Sequence, residues 1–176
     1  MSPSDEAEFV RLLKIFKEDQ ERGVPISEER FALHLQCLPA PAIECVIARL
    51  VRGKIEVFLA QRSADDPFYP NKAWHVPGTF LRPREKISDA MRRISAGELA
   101  PATIREHKFI FPNNNWCEPR GHSVGLVYLC DIIDEPQQGE WFETWPNDGL
   151  PADLIEFQRD FLMPALAPLF IDRRRP

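Results

Sequence analysis

The chain offers little to a membrane, a nucleic acid or a disulfide network. No apolar run in its 176 residues reaches the length that spans a bilayer, so no membrane partner is expected. Met1–Gln20 is charged throughout, without the apolar stretch of a secretion signal, which predicts a cytoplasmic protein. Lys and Arg number 22 against 27 Asp and Glu, a net charge of −5. The basic excess of a nucleic-acid binder is therefore missing, and nucleic acid is not an expected partner. Arg173-Arg174-Arg175 is too short to change this and reads as a solvated tail. The four cysteines (Cys37, Cys45, Cys117 and Cys130) show no CxxC spacing and no clustered histidines. They read as reduced, mostly buried thiols rather than a disulfide or zinc framework.

What is present is an ordinary soluble composition, 44% apolar and 28% charged, at about the length of one domain. Proline is frequent, at 17 residues, so connections should be numerous and stiff. Ser4-Asp5-Glu6 opens a helical pattern carried by Phe9, Leu12, Leu13 and Phe16, and Arg22-Gly23 stops it. Ser27 caps a second short helix. The boundary is placed at Leu38–Ala42, giving a helical extension over 1–40 and a main domain over 41–176. Ile43–Val51 and Lys54–Gln61 form a hairpin turning at Arg52-Gly53. Short strands are predicted at Trp74-His75-Val76 and at 140–145, longer ones at 104–111 and 122–131, with 112–121 as a polar loop. A helical pattern runs from Ala152 to Met163, and Pro164 should end or kink it. Strands bracketing one central helix, with another helix near the end, imply an α/β fold with a mixed sheet between helices.

The central stretch, Gly78–Leu99, raises a chemical question. Taken as a helix over 87–99, it carries Ile87, Ala90, Met91 and Ile94 on one stripe, and Glu98 falls in that stripe. An unpaired buried carboxylate is costly, so Glu98 should pair with an arginine, shift its pKa upward or hold a hard cation, unless it lies at the helix end in water. Arg93 sits off to the side, where a carboxylate such as Glu85 can pair with it. Pro77-Gly78 lets the backbone approach a ligand closely.

These residues resemble the box of the Nudix hydrolases. That box reads Pro-Gly-Gly, then Glu, then Arg-Glu, a Glu-Glu pair and a closing Gly. Here Pro77-Gly78, Glu85, Arg93 and Glu98 stand in register, while Thr79, Ile94, Gly97 and Ala100 replace the second Gly, two of the carboxylates and the last Gly. Trp74 before Val76-Pro77-Gly78 and the strand Lys54–Arg62 are similar to the family's flanks. Among subfamilies the resemblance is to the GDP-mannose mannosyl hydrolase type, which also lacks the usual carboxylates.

The resemblance implies a Nudix-type α/β/α sandwich with an N-terminal helical extension. It implies hydrolysis of a nucleoside diphosphate derivative, a nucleotide sugar cleaved at the glycosyl carbon, with Mg²⁺ (or Mn²⁺) as cofactor and a homodimer as the assembly. It assigns the metal to the Gly78 carbonyl, Glu98 and, from a late segment, Gln158, with Arg159 beside it where the subfamily has its general base, a role arginine cannot fill at neutral pH. Arg93, His122 and Glu98 are its catalytic candidates, Arg62 and His122 its substrate contacts, and Glu85 a structural box residue. Phe80 stands where the subfamily has an arginine. The alternatives are pyrophosphatase cleavage at phosphorus and a non-catalytic fold that binds a nucleotide or a protein. Outside the box, His75 reads as packing and Asp65-Asp66 as a solvated turn, and Trp116, Trp141 and Trp145 as either core or base-stacking residues.

Overall fold

Strand alternation builds this molecule. The computed structural model describes residues 2–69, 71–116, 118–145 and 149–172; Cys117 and Arg173–Arg175 lie outside them. Along β1 (Ala40–Val51), Ile43, Cys45 and Ile47 point to one face and Val46 to the other. Along β2 (Lys54–Gln61), Phe58 and Ala60 join the first set, and Ile55, Val57 and Leu59 the second. Both faces are therefore apolar, and each needs a helix. The first is covered by α3 (Ile87–Ala96) through Ala90, Met91 and Ile94. The second is covered by the C-terminal helix through Leu162, Met163 and Leu166. This is the expected α/β/α sandwich.

The sheet has seven strands. Arg52 and Gly53, both at positive φ (49° and 80°), turn β1 into β2. The far end of β1 instead pairs with β4 (Gly78–Phe80), after the two-residue β3 (Trp74–His75) has added to the edge of β2. β1 runs parallel to β6 (Ser123–Ile133), which pairs antiparallel with β5 (Thr103–Asn115) at the sheet edge. β7 (Glu140–Trp145) lies along β2. β1 and β2 thus part company where β3 and β4 enter, and the site lies at that divergence.

Three expectations need correcting. β5 continues through Pro112 to Asn115, so much of the expected polar loop is strand. An edge strand tolerates the missing proline N–H, and irregular register beside it absorbs the bend. The central helix ends at Ala96, with Gly97 as its cap, so Glu98 sits in the following turn rather than on the helix. Pro164 does not stop the last helix. A wide π-turn over Gln158–Leu162 precedes it, and α4 (Met163–Asp172) runs on through Pro164 and Pro168. At the other end, α1 (Pro3–Glu21) is capped by Ser2, whose hydroxyl and backbone N–H form a capping box with Asp5.

α1 and α2 (Glu28–Cys37) precede the sheet as expected. α2 buries Ala32 and Leu35, whereas α1 buries nothing, and its Phe9, Leu12 and Leu13 are exposed. Among the described residues no helix is long and apolar enough to cross a membrane.

Candidate functional site

Gly78 is required by space. A Cβ built there would stand 2.5 Å from the Ile43 carbonyl oxygen of β1, so only glycine lets β4 lie this close. The Gly78 N–H donates to Glu98 Oε2 at 2.8 Å, which ties the turn after α3 to the start of β4. Arg93 holds the rest of the loop. Its Nε and Nη2 donate to the two Glu85 oxygens at 3.1 and 2.9 Å, Nη2 also reaches the Phe80 carbonyl at 2.9 Å, and Nη1 donates to Thr79 Oγ1. A planar guanidinium suits this fork. At Glu85, burial raises the pKa, but the Arg93 fork and the Arg82 N–H outweigh it and leave the carboxylate below its ordinary range.

Beneath the loop lies a cavity of about 260 Å³ that brings together Glu44, Glu98, Glu118, Arg62, Arg120 and Gln158. Arg62 leaves the end of β2 with its Nε buried and without a hydrogen-bond partner among the described residues. Arg120 donates to Glu118 Oε1 at 2.5 Å and stacks 5.0 Å from the Phe80 ring centroid. Tyr69 Oη donates to the same Glu118 oxygen at 2.9 Å, and its pKa is raised by burial and by the Glu118 charge. Gln158, carried inward by the π-turn, accepts from the Val76 N–H through Oε1 at 2.8 Å. It also hydrogen-bonds Glu44, as does Asn113 Nδ2 at 3.1 Å.

Two carboxyl groups here hold their protons too tightly. Burial raises Glu44 to about 6, opposed by its bonds to Asn113 and Gln158 and helped by the Glu118 charge. Burial also raises Glu98, against the Gly78 N–H and the Arg62 charge. His75 moves the other way, to about 3, through burial and the Arg62 charge. It is a neutral imidazole with Nδ1 on the Val76 carbonyl at 2.9 Å and Nε2 3.8 Å from Glu98 Oε1.

The Glu44 shift has a consequence for stability. Its folded pKa lies above the ordinary carboxyl value of 4.5, so the folded state binds more protons across the window from 4.5 to about 6. Stability therefore falls as pH rises through that window, by about 2 kcal/mol. Glu44→Gln removes the penalty and should raise the melting temperature at pH 7.5 by about 4–8 °C while leaving it nearly unchanged at pH 4. Parallel melts at the two pH values check this, and no gain at pH 7.5 contradicts it.

The donor set is suited to a hard cation. Glu44 and Glu98 offer oxygen in a pocket whose burial disfavours bare carboxylates, which is where a bound cation gains most. Among the described residues no three His, Cys, Asp or Glu side chains converge on one point. Two carboxylates suit Mg²⁺, which takes one or two of them and completes its shell with water and substrate phosphate.

Of the residues expected from the sequence, Gly78, Glu98, Arg62 and Gln158 meet at the cavity. Arg93 and Glu85 do not line it; their bonds hold the loop above it. His122 is a correction. It stands just ahead of β6, with its N–H on the Leu35 carbonyl at 2.9 Å and its Nε2 2.6 Å from Asn114 Oδ1. Strand alternation sends its neighbour Ser123 to the cavity instead. Arg159 turns outward and binds Asp160 at 2.8 Å. Gln158 reaches the cavity with its oxygen already engaged, so it braces Val76 and Glu44.

Sequence reasoning missed Glu44, Glu118 and Arg120, while His75, 2% exposed on its strand, packs as expected. Glu44 did carry a signal: a lone acid among Ile43, Cys45, Val46 and Ile47 in a strand buried on both faces.

No curated protein matches the chain. Several solved structures share its fold. The NUDIX domain of Shewanella oneidensis NrtR, complexed with ADP ribose, is 20% identical, covers 76% of this chain and 89% of its own, and superposes with a TM-score of 0.56. A MutT/nudix family protein from Enterococcus faecalis is 19% identical, over 97% of this chain and 75% of its own, at 0.56. The C-terminal domain of mouse MUTYH, in complex with human PCNA, is 16% identical, over 78% and 90%, at 0.53. The family described as NUDIX domain matches residues 40–163, which span the sheet, the box and the cavity, and the chain belongs to that family.

Proposed function

We propose that this chain hydrolyses a nucleoside diphosphate joined to a second moiety, with Mg²⁺ as cofactor. One observation carries the reading: two arginines, one with a buried unpartnered Nε, share a cavity with two carboxyl groups whose burial calls for a cation. Arg62 and Arg120 bind and orient the diphosphate, for which a planar guanidinium is well shaped. Glu98 and the Gly78 backbone, with Glu44 beside them, would hold the metal; when bound it neutralises phosphate charge and stabilises the leaving group. Arg93 keeps the loop closed over these groups.

The finer reading is a nucleotide sugar such as GDP-mannose, with water attacking the glycosyl carbon. Its support is the box itself, where Ile94 and Gly97 replace carboxylates and leave too few for several metals. Reaction in ¹⁸O-water decides the bond: label in the sugar supports attack at carbon, label in phosphate supports attack at phosphorus. A panel of nucleotide sugars and dinucleotides with Mg²⁺ or Mn²⁺ tests the activity. No turnover of any of them favours a non-catalytic module, a role consistent with the MUTYH domain being seen in complex with PCNA.

We further propose a homodimer formed through α1. Its Phe9, Leu12 and Leu13 are exposed and lie along one helical stripe. Light scattering should give twice 20.3 kDa; a monomer mass contradicts the assembly.

A further inference from the structure

A second groove, about 560 Å³, continues from the cavity, and Tyr69, Asn115 and Ile155 line both. Its floor is aromatic. Phe157 and Phe161 stack with ring centroids 5.0 Å apart and planes 29° from parallel. Trp116 meets both edge-on, at 5.9 and 5.5 Å, and holds them in place. Phe157 is buried, but Phe161 and Trp116 are 48% and 59% exposed, unusual for rings already assembled into a cluster. The rim is acidic. Asp160 is spent on Arg159, whereas the exposed carboxylates of Asp153 and Glu156 make no hydrogen bond or ion pair among the described residues.

We propose that this groove binds the nucleobase of the substrate, stacked on Phe161 and hydrogen-bonded through its donor edge to Asp153 or Glu156. The inference rests on the diphosphate reading of the adjoining cavity and adds the polarity of the bound molecule. Arg62 and Arg120 take the phosphates, and the acidic rim repels them, so the neutral aromatic end lies over the phenylalanines. The rim also ranks the bases. A carboxylate only accepts hydrogen bonds, and guanine presents two adjacent donors, adenine an amino group, and uracil one N–H between two carbonyls. The order of affinity is therefore GDP, then ADP, then UDP.

Isothermal titration of the full chain with these three and with inorganic pyrophosphate tests the assignment. GDP should bind at least about tenfold more tightly than pyrophosphate, the scale of one stacked base. Phe161→Ala should lose about that factor for GDP and none for pyrophosphate, which also shows that the variant is folded; Phe161→Tyr should retain GDP binding. The double change Asp153→Asn with Glu156→Gln should narrow the gap between GDP and UDP. Equal binding of GDP and pyrophosphate, or unchanged GDP binding by Phe161→Ala, overturns the base site and leaves the diphosphate site standing. A chain that binds neither GDP nor pyrophosphate overturns both.

Discussion

Glu98→Gln should lower turnover about a hundredfold or more without weakening the fold. The amide has nearly the same shape, and its oxygen can still accept the Gly78 N–H that the carboxylate accepts at 2.8 Å. Only the charge is lost, and a hard cation binds a neutral amide much less well than a carboxylate. Because burial raises the Glu98 pKa, removing its charge also removes a cost that the folded state carries. The melting temperature at pH 7.5 should therefore stay level or rise while activity falls. Steady-state kinetics with the best substrate, alongside a thermal melt, read both quantities. Full activity in the variant would place the chemistry elsewhere, and unchanged ligand affinity with no turnover in either protein would support a binding module.

This split between activity and stability also explains what the sequence could and could not show. Gly78, Glu85, Arg93 and Glu98 are close in sequence, and one loop and one helix bring them together, so their register against the family box reveals them. Alternation along β1 and β2 likewise exposes the two-faced core. Glu44, Asn113 and Arg120 become neighbours only through the parallel β1–β6 pairing and the extension of β5 to Asn115, which depend on contacts far apart along the chain. Gln158 needed the π-turn ahead of Pro164, and proline by itself predicts a break rather than a widened turn. His122 misled for a related reason: a polar residue at a strand entrance looks available, but one step along the strand decides which face it serves.

Arg93→Ala tests the other half of the site, the loop that stands over the cavity. Four side-chain hydrogen bonds end on this guanidinium: two on Glu85, one on the Phe80 carbonyl and one on Thr79. Its side chain is 28% exposed and that of Glu85 10%, so water screens the pair only partly. Removing Arg93 strands a charge that burial already disfavours, and the expected loss of stability is about 2–3 kcal/mol, below the range for fully buried pairs. For a chain of this size that corresponds to a fall of about 4–12 °C in melting temperature. Arg93→Lys should recover little of it, because an ammonium cannot span both Glu85 oxygens and the Phe80 carbonyl at once. The double change Arg93→Ala with Glu85→Gln separates the causes. If the stranded charge dominates, the double variant is more stable than Arg93→Ala alone; if the lost bonds to Thr79 and Phe80 dominate, the two melt together. Activity should follow the loop rather than the charge. Both variants free Thr79 and Phe80, and with them the edge of the cavity where Gly78 meets Glu98, so both should lose turnover even where the second regains stability.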